Sequence, residues 1–270
     1  MTSSFDLTGN KILITGAANG LGAVMAQVLS GLGAELAVTD IDGEKLQQVG
    51  DSIEKSGATK PLVYQQDVCC EEDWERIASD LTTTWGALDG LVNNAGIMPH
   101  IPFPNTTLEI FRKTQKINVE SVFIGIQTML PLLKQAGEQG RSASVVNVSS
   151  IFGQVAGPLH SAYCASKGAV RLLTKSVATE LPRLGYNIRC NSIHPGIMDV
   201  GVSMTGMQSL VDLGVFKGVE QAAAHFASLI PQGRPGSAEE IANGVAYLIS
   251  DASTLMTGSE LTLDGGFTAI

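Results

Sequence analysis

A short apolar run, Lys11-Ile-Leu-Ile-Thr15, breaks into Gly16-Ala-Ala-Asn-Gly20-Leu-Gly22 and continues as a helical pattern over residues 21–32. No other stretch narrows the possible folds as far. A buried strand that turns through glycines straight into a helix leaves bare backbone N–H groups at the helix N-terminus. The helix dipole favours an anion at the same place. Glycines at 16, 20 and 22 permit the tight turn and a close approach of backbone to phosphate, although an ordinary strand–helix turn can also be glycine-rich. The carboxylate that would accompany a dinucleotide is present. Asp40 ends the second strand pattern, eighteen residues after Gly22, where it can accept both hydroxyls of a ribose. The alternative role for Asp40, capping the next helix, suits Asp42 at least as well. No Arg or Lys occupies Ala17, Ala18, Asn19 or Ile41 to receive a 2′-phosphate, so NAD is expected over NADP.

The rest of the chain repeats the strand–helix unit. Strand patterns fall at 35–39, 62–65, 88–92, 144–148, 187–193 and 260–263, and helical patterns at 43–55, 71–85, 108–134, 162–184 and 238–249. Such alternation implies α/β architecture: a Rossmann-type doubly wound parallel sheet of about seven strands. Only residues 198–231 resist the pattern and read as an insertion of short helices. We find no linker or repeat, so residues 1–270 are expected to form one domain. Asp67-Val68 closes the third strand and Asn93-Asn94-Ala95-Gly96 the fourth, so four successive strand ends face one crevice, where ligands bind in such sheets. The formal net charge of −9 argues against nucleic acid and against a polybasic membrane contact. The N-terminus shows neither a basic segment nor an apolar one, and no run approaches the ~20 residues of a membrane span. Cys69, Cys70, Cys164 and Cys190 lack metal-ligand spacing, so no metal is expected and a reduced, cytoplasmic protein is the simplest expectation.

Tyr163 and Lys167 stand four apart in a helical pattern, on one face. A free phenol titrates near ~10, and a cation held close is expected to lower that value and make the tyrosine a usable base. Ser150 follows the apolar run 145–148 and so sits at a strand's C-terminal edge. A hydroxyl, a tunable phenol and a lysine can move a proton to or from a substrate oxygen. An isolated Tyr-x-x-x-Lys is more often a surface pair, and it is the nucleotide signal upstream that tips the reading toward chemistry.

Taken together, these motifs resemble the short-chain dehydrogenase/reductase family from Leu7 to the C-terminus. The residues that carry the resemblance are Thr-Gly-x-x-x-Gly-x-Gly at 15–22, Asp40, Asn-Asn-Ala-Gly at 93–96, Asn118, Ser150, Tyr163-x-x-x-Lys167 and Pro195-Gly196. Segments 116–125, 188–195 and 256–261 are similar to bacterial 3β/17β-hydroxysteroid and cyclic-alcohol dehydrogenases. The resemblance implies Tyr163 as the acid/base, Ser150 as a donor to the substrate oxygen, and Lys167 on the nicotinamide ribose. It implies that Asn118 helps hold Lys167 through water. It also implies a cofactor bed of Gly16, Asn19, Gly20, Leu21, Gly22, Asp40, Asp67, Val68, Asn94, Ala95 and Gly96, completed by Pro195, Gly196 and Met198. Asp67 and Val68 would flank adenine, and Asn94 the adenine-side ribose. One position departs from the pattern: Val200 stands where many relatives place a Thr for the nicotinamide carboxamide, and Ser203 or Thr205 would have to substitute.

For the substrate, residues 197–216 carry Met198, Met204, Met207, Leu210, Val211, Leu213, Val215 and Phe216, with no Arg or Lys before Lys217. Methionine suits a lid that moulds to a large apolar ligand, although such residues also simply pack an insertion. A bulky, mostly apolar secondary alcohol or its ketone is therefore expected, ring-bearing or steroidal. A sugar, a polyol or a 3-oxoacyl thioester is the alternative. Met98, His160, Met204 and Met207 are the expected substrate-side residues, although His160 reads more readily as a surface-loop histidine; His100 stands near them and His194 reads as structural. An NAD-dependent lyase or epimerase would need a further domain, and a non-catalytic NAD sensor would not need Ser150, Tyr163 and Lys167. The apolar positions on 107–133 and 162–184 (Val119, Val122, Phe123, Ile126 and Met129, with Ala165, Ala169, Leu172 and Leu173) exceed what one sheet face covers. In the family such helices pair across a two-fold axis, implying a homotetramer.

Overall fold

The structure is a computed structural model that describes residues 4–200 and 202–269; the side chains of residues 202–204 also lie outside the described set. Its centre is a parallel sheet of seven strands: β1 (Lys11–Thr15), β2 (Glu35–Asp40), β3 (Leu62–Gln65), β4 (Gly90–Asn93), β5 (Ala143–Val148), β6 (Ile188–Pro195) and β7 (Glu260–Leu263). They lie in the order β3-β2-β1-β4-β5-β6-β7. The winding reverses between β1 and β4, and the loops leaving these two strands diverge to open a crevice.

Helices cover both faces. On one side α1 (Gly20–Gly31), α2 (Gly43–Lys55) and α9 (Ala238–Ile249) pack on Ile12, Ile14, Val38 and Val92. On the other, α3 (Glu71–Thr84), α5 (Ser121–Glu138) and α6 (Ser161–Glu180) cover Leu13, Leu91, Val145 and Cys190, with Trp74 fully buried among them. Covered on both faces, β4, β5 and β6 are buried at every position without alternation, the polar Arg189, Asn191, Ser192 and His194 of β6 included. The expected Asp42 cap is seen: its carboxylate accepts the Lys45 N–H at 3.1 Å. The capping box expected of a Ser-x-x-Glu sequence opens α9 at Ser237 and Glu240.

One expectation is corrected. The stretch 108–134 is not a single helix, so Asn118 does not lie mid-helix. It divides into α4 (Leu108–Gln115), a π-helical turn (Lys116–Glu120) and α5, with Asn118 buried in the turn. The apolar spacing runs on through the junction, so periodicity could not reveal the extra residue in that turn. The insertion supplies two short helices, α7 (Val202–Asp212) and α8 (Val219–Ser228), packed on each other. Among the described residues no helix is long and apolar enough to cross a membrane.

Candidate active site

The crevice at the β1/β4 reversal is a cleft of about 510 Å³. Its nucleotide side is a mould of backbone. Gly16 and Gly20 both adopt positive φ (67° and 53°). A Cβ on Gly22 would run into the Gly16 carbonyl oxygen, and one on Gly16 would come within 2.8 Å of the Ala95 Cα. Only glycine fits a cradle this close. Gly16, Asn19, Gly20, Leu21 and Gly22 all line the cleft, together with Ala95 and Gly96 from the β4 exit. Asn94 also lines it, but both hydrogens of its amide bond the loop, to the Thr15 carbonyl at 2.9 Å and the Gly16 carbonyl at 3.0 Å. Thr15 Oγ1 accepts the Asn94 and Ala95 N–H groups at 3.0 and 3.1 Å. The Asn94 amide thus staples two turns together at the edge of the cleft.

Asp40 is pinned at the cleft by two backbone donors, Ala18 N–H at 3.0 Å and Asp42 N–H at 3.0 Å, one on each carboxylate oxygen. Lone pairs remain on both oxygens. Asp67 and Val68 line the same end, as does Gln66, a residue the sequence did not single out. The Gln66 side chain is buried, and neither its Oε1 nor its Nε2 has a partner among the described residues. The apolar, exposed Ile41 follows Asp40 into the lining.

At the other end Ser150, Tyr163 and Lys167 converge, all buried and all on the cleft. Ser150 caps a short turn, its Oγ accepting the Phe152 N–H at 3.1 Å. Lys167 Nζ donates to the Val148 carbonyl at 2.6 Å and lies 5.6 Å from the centre of the Tyr163 ring. Burial pushes the Tyr163 phenol up to about 12, against a lowering hydrogen bond from Ser150. Burial also brings the Lys167 ammonium down to about 8. The expected lowering of Tyr163 by Lys167 is therefore not found in this state: desolvation dominates, and the ammonium is spent on a carbonyl. Asn118 holds the β4 exit, its carboxamide accepting Ile97 N–H and donating to the Ile97 carbonyl, both at 2.9 Å, and donating to Ser166 Oγ at 3.0 Å. These bonds go to Ile97 and Ser166; with Lys167 it shares only proximity to Gly96, whose added Cβ would lie 3.2 Å from Asn118 Oδ1 and 3.7 Å from Lys167 Nζ.

Pro195, Gly196 and Met198 line the cleft from β6, with Met198 buried. Val200 presents an apolar side chain there, Ser203 lies outside the described side chains, and Thr205 sits exposed on α7. Of the expected substrate-side residues, Met98 lines the cleft; Met207 is buried away from its lining, in the packing of the insertion. Met204 lies outside the described side chains. His160 is neither on the surface nor on the cleft. It is buried, donates from Nδ1 to the Pro158 carbonyl, and stacks edge-on against His100 with centroids 4.7 Å apart. The preceding Leu159 takes positive φ (69°), which turns the chain into α6 and aims the imidazole inward. Phe152, Ile117 and the exposed Lys113 also line the cleft; none was legible, because each reaches it from a separate element.

A family model described as enoyl-(acyl carrier protein) reductase matches residues 16–268. The cyclopentanol dehydrogenase of Comamonas sp. (strain NCIMB 9872) is 35% identical over 258 residues, 96% of either chain. The chain belongs to the short-chain dehydrogenase/reductase family. A second relative in that family, the 3-beta-hydroxysteroid dehydrogenase of Comamonas testosteroni, is 35% identical over 96% of this chain and 95% of its own. The crystal structure of levodione reductase superposes with a TM-score of 0.89 at 33% identity, covering 97% of this chain and 99% of that one. As a short-chain dehydrogenase/reductase the protein is an oxidoreductase of alcohols and ketones, and the family uses a nicotinamide cofactor, NAD or NADP. The glycine cradle, closed to any Cβ, and the open N-terminus of α1 fit the pyrophosphate of such a cofactor.

Proposed function

We propose that the protein is an NAD-dependent dehydrogenase that interconverts a bulky, mostly apolar secondary alcohol, cyclic or steroidal, and its ketone. The observation that carries the reading is the meeting of Ser150, Tyr163 and Lys167 with the glycine cradle in one cleft whose outer wall is Met98, Ile117, Phe152 and Val200. When bound, the nicotinamide exchanges hydride with the carbinol carbon. Tyr163 exchanges the proton of the substrate oxygen, and Ser150 donates a hydrogen bond to that oxygen. Lys167, when it turns from the Val148 carbonyl toward a ribose, brings its charge to bear on the phenol and offsets the burial that now raises it. Gly16, Asn19, Gly20, Leu21 and Gly22 would hold the pyrophosphate; Asp67, Val68 and Asp40 would hold the adenosine. Pro195, Gly196 and Met198 would wall the nicotinamide.

Asp40 supports NAD over NADP. Its carboxylate is fixed by two backbone donors and forms no ion pair among the described residues; the nearby Lys45 feels its charge but pairs with Asp42 at 2.8 Å. A 2′-phosphate would meet like charge there, at a cost of a few kcal/mol at most.

The absence of a cation from residues 197–216 no longer makes the substrate site neutral, because Lys113 enters the lining from α4. A ring alcohol that also bears a carboxylate is the second reading this observation favours. We also propose a homotetramer: Val122, Ile126 and Met129 are buried within the chain, but Phe123 (52% exposed) and Leu172 (68%) remain on the outer helices. Light scattering at micromolar concentration that finds only monomer would remove that part.

Turnover with NAD across cyclopentanol, a hydroxysteroid, a hydroxycyclohexanecarboxylate, a polyol and a 3-hydroxyacyl thioester tests the function. The cyclic alcohols are expected to give the highest kcat/KM. Preference for the polyol or the thioester would sink the substrate class, and a preference for NADP would sink the cofactor.

A further inference from the structure

His194 lies behind the cleft, in β6, fully buried and absent from the lining. Both its ring nitrogens are engaged. Nδ1 is 2.9 Å from the Ser150 carbonyl, and Nε2 is 2.8 Å from Ser192 Oγ. A carbonyl only accepts, so Nδ1 carries the proton. Burial lowers the pKa of the imidazole and favours the neutral ring, with Arg171 and Lys167 reinforcing that shift and the Ser150 hydrogen bond and Glu260 opposing it. Nε2 is then an acceptor, and the Ser192 hydroxyl donates to it.

The geometry at Ser150 gives this bond a task. Pairing of β5 with β6 ends at Val148 and Ile193, and only the Ser149 N–H still reaches across, to the Ile193 carbonyl at 2.9 Å. The next carbonyl, that of Ser150, has left the ladder. One of its lone pairs takes the Gly153 N–H at 2.9 Å, and the other takes His194. The same turn is tied to the Tyr163 helix, since Ser149 Oγ donates to the Lys167 carbonyl at 2.9 Å and a Cβ on Gly153 would come within 2.7 Å of that carbonyl oxygen. Without the imidazole, a buried carbonyl lone pair would be unpaired, and the carbonyl of the residue that carries the reactive hydroxyl would be held by the Gly153 N–H alone.

We propose that His194 is a positioning residue for catalysis: from outside the cleft it fixes the Ser150 peptide and so aims the Ser150 hydroxyl at the substrate oxygen and Tyr163. The inference rests on the alcohol–ketone reading above. It gives this histidine a duty beyond packing, because kcat should depend on one of its two nitrogens and not on the other.

Asparagine and glutamine separate the two nitrogens. An Asn carboxamide nitrogen sits one bond beyond Cγ, as Nδ1 does, and a Gln nitrogen reaches to the place of Nε2. His194→Asn is expected to recover most of the kcat, whereas His194→Gln and His194→Leu lose about ten- to a hundredfold, as misplacement of a reacting group does. KM for NAD should stay within about twofold, the proposed cofactor bed being untouched. Ser192→Ala, which removes only the partner on Nε2, should lower the Tm while leaving kcat within about twofold of wild type. Equal loss of kcat in the Asn and Gln variants, or a loss in Ser192→Ala as large as in His194→Gln, would overturn the proposal.

Crystal structures of the Asn and Gln variants make the test independent of activity. The Ser150–Gly153 turn should be displaced in His194→Gln and in place in His194→Asn. An undisturbed turn in His194→Gln would overturn the inference even if the enzyme proved to act on another substrate. Wild-type protein inactive on every alcohol would defeat the function and leave this structural result standing. Should the Gln variant not fold, His194→Leu is read against His194→Asn in its place.

Discussion

The two halves of the cleft are built in different ways. The nucleotide half, from Gly16 to Asp67, is made of backbone: glycine carbonyls, turn N–H groups, and side chains such as Asn94 and Asp40 that lock those turns. The substrate half is made of side chains sent from five separate places: Met98 after β4, Lys113 on α4, Ile117 in the π turn, Phe152 after β5, and Val200 ahead of α7. A backbone mould tolerates little change in its own sequence, since any Cβ at Gly22 collides with Gly16. A wall assembled from distant elements can be altered one side chain at a time. On this comparison the cofactor is held by the fold itself, and the substrate by residues the fold leaves free to vary.

Four substitutions or conditions bear on that division. Tyr163 lies on the seam between the halves, so Tyr163→Phe should lower kcat by about 10²–10⁴-fold while NAD affinity, measured by titration, stays nearly unchanged. A variant with a tenth of the wild-type rate would remove Tyr163 from the chemistry. Next in size, Asp40→Ser with Ile41→Arg acts on the nucleotide half alone. It should shift the kcat/KM ratio of NAD to NADP by about tenfold or more toward NADP and leave the ranking of alcohols unchanged. A reordered ranking would mean the halves are not separable.

Gly206→Ala probes the opposite half. Its new methyl would run into the His100 ring, pushing α7 from its seat by overpacking worth about 1–3 kcal/mol. A several-fold rise in KM for the alcohol with unchanged KM for NAD is expected, and equal changes in both would contradict the division. The smallest effect is of pH. Burial, aided by the neighbouring His160, holds His100 down at about 4, well below the 6.5 of an ordinary imidazole. The unfolded chain therefore binds this proton first as pH falls, and stability drops between about pH 6.5 and pH 4. Because the ring is only half-buried, a loss of about 1 kcal/mol is expected. Denaturant melts of wild type and His100→Asn at pH 7 and pH 4.5 measure it; equal pH dependence in both would acquit His100.

What could be read in advance follows the same line. Glycines at 16, 20 and 22, Asp40 at a strand end and Asp42 as a cap are local rules, and their neighbours in sequence are their neighbours in space. The seven strands were equally legible, because buried β-α alternation has a strong period. Tyr163 and Lys167 announced themselves by helical spacing, but the state of the phenol did not. It depends on desolvation and on a lysine drawn to the Val148 carbonyl, both products of packing. Lys113 escaped notice because it lies fifty residues from Tyr163 in the chain and reads as an ordinary solvated helical lysine. His160 read as surface because nothing nearby in sequence foretells the left-handed turn at Leu159 that buries it.

The π turn at Lys116–Glu120 has one more implication. It works as a phase shifter between two gears on one shaft. Each residue advances a helix by about 100°, so the surplus residue turns α4 by that angle against α5. Met129 and Leu133 on α5 can then mesh with the sheet while Lys113, on α4, faces the cleft. Deleting a single residue from this turn would leave a longer, more regular helix. It would also swing Lys113 about a third of a revolution out of the substrate wall, so a change that improves the local geometry would dismantle part of the site.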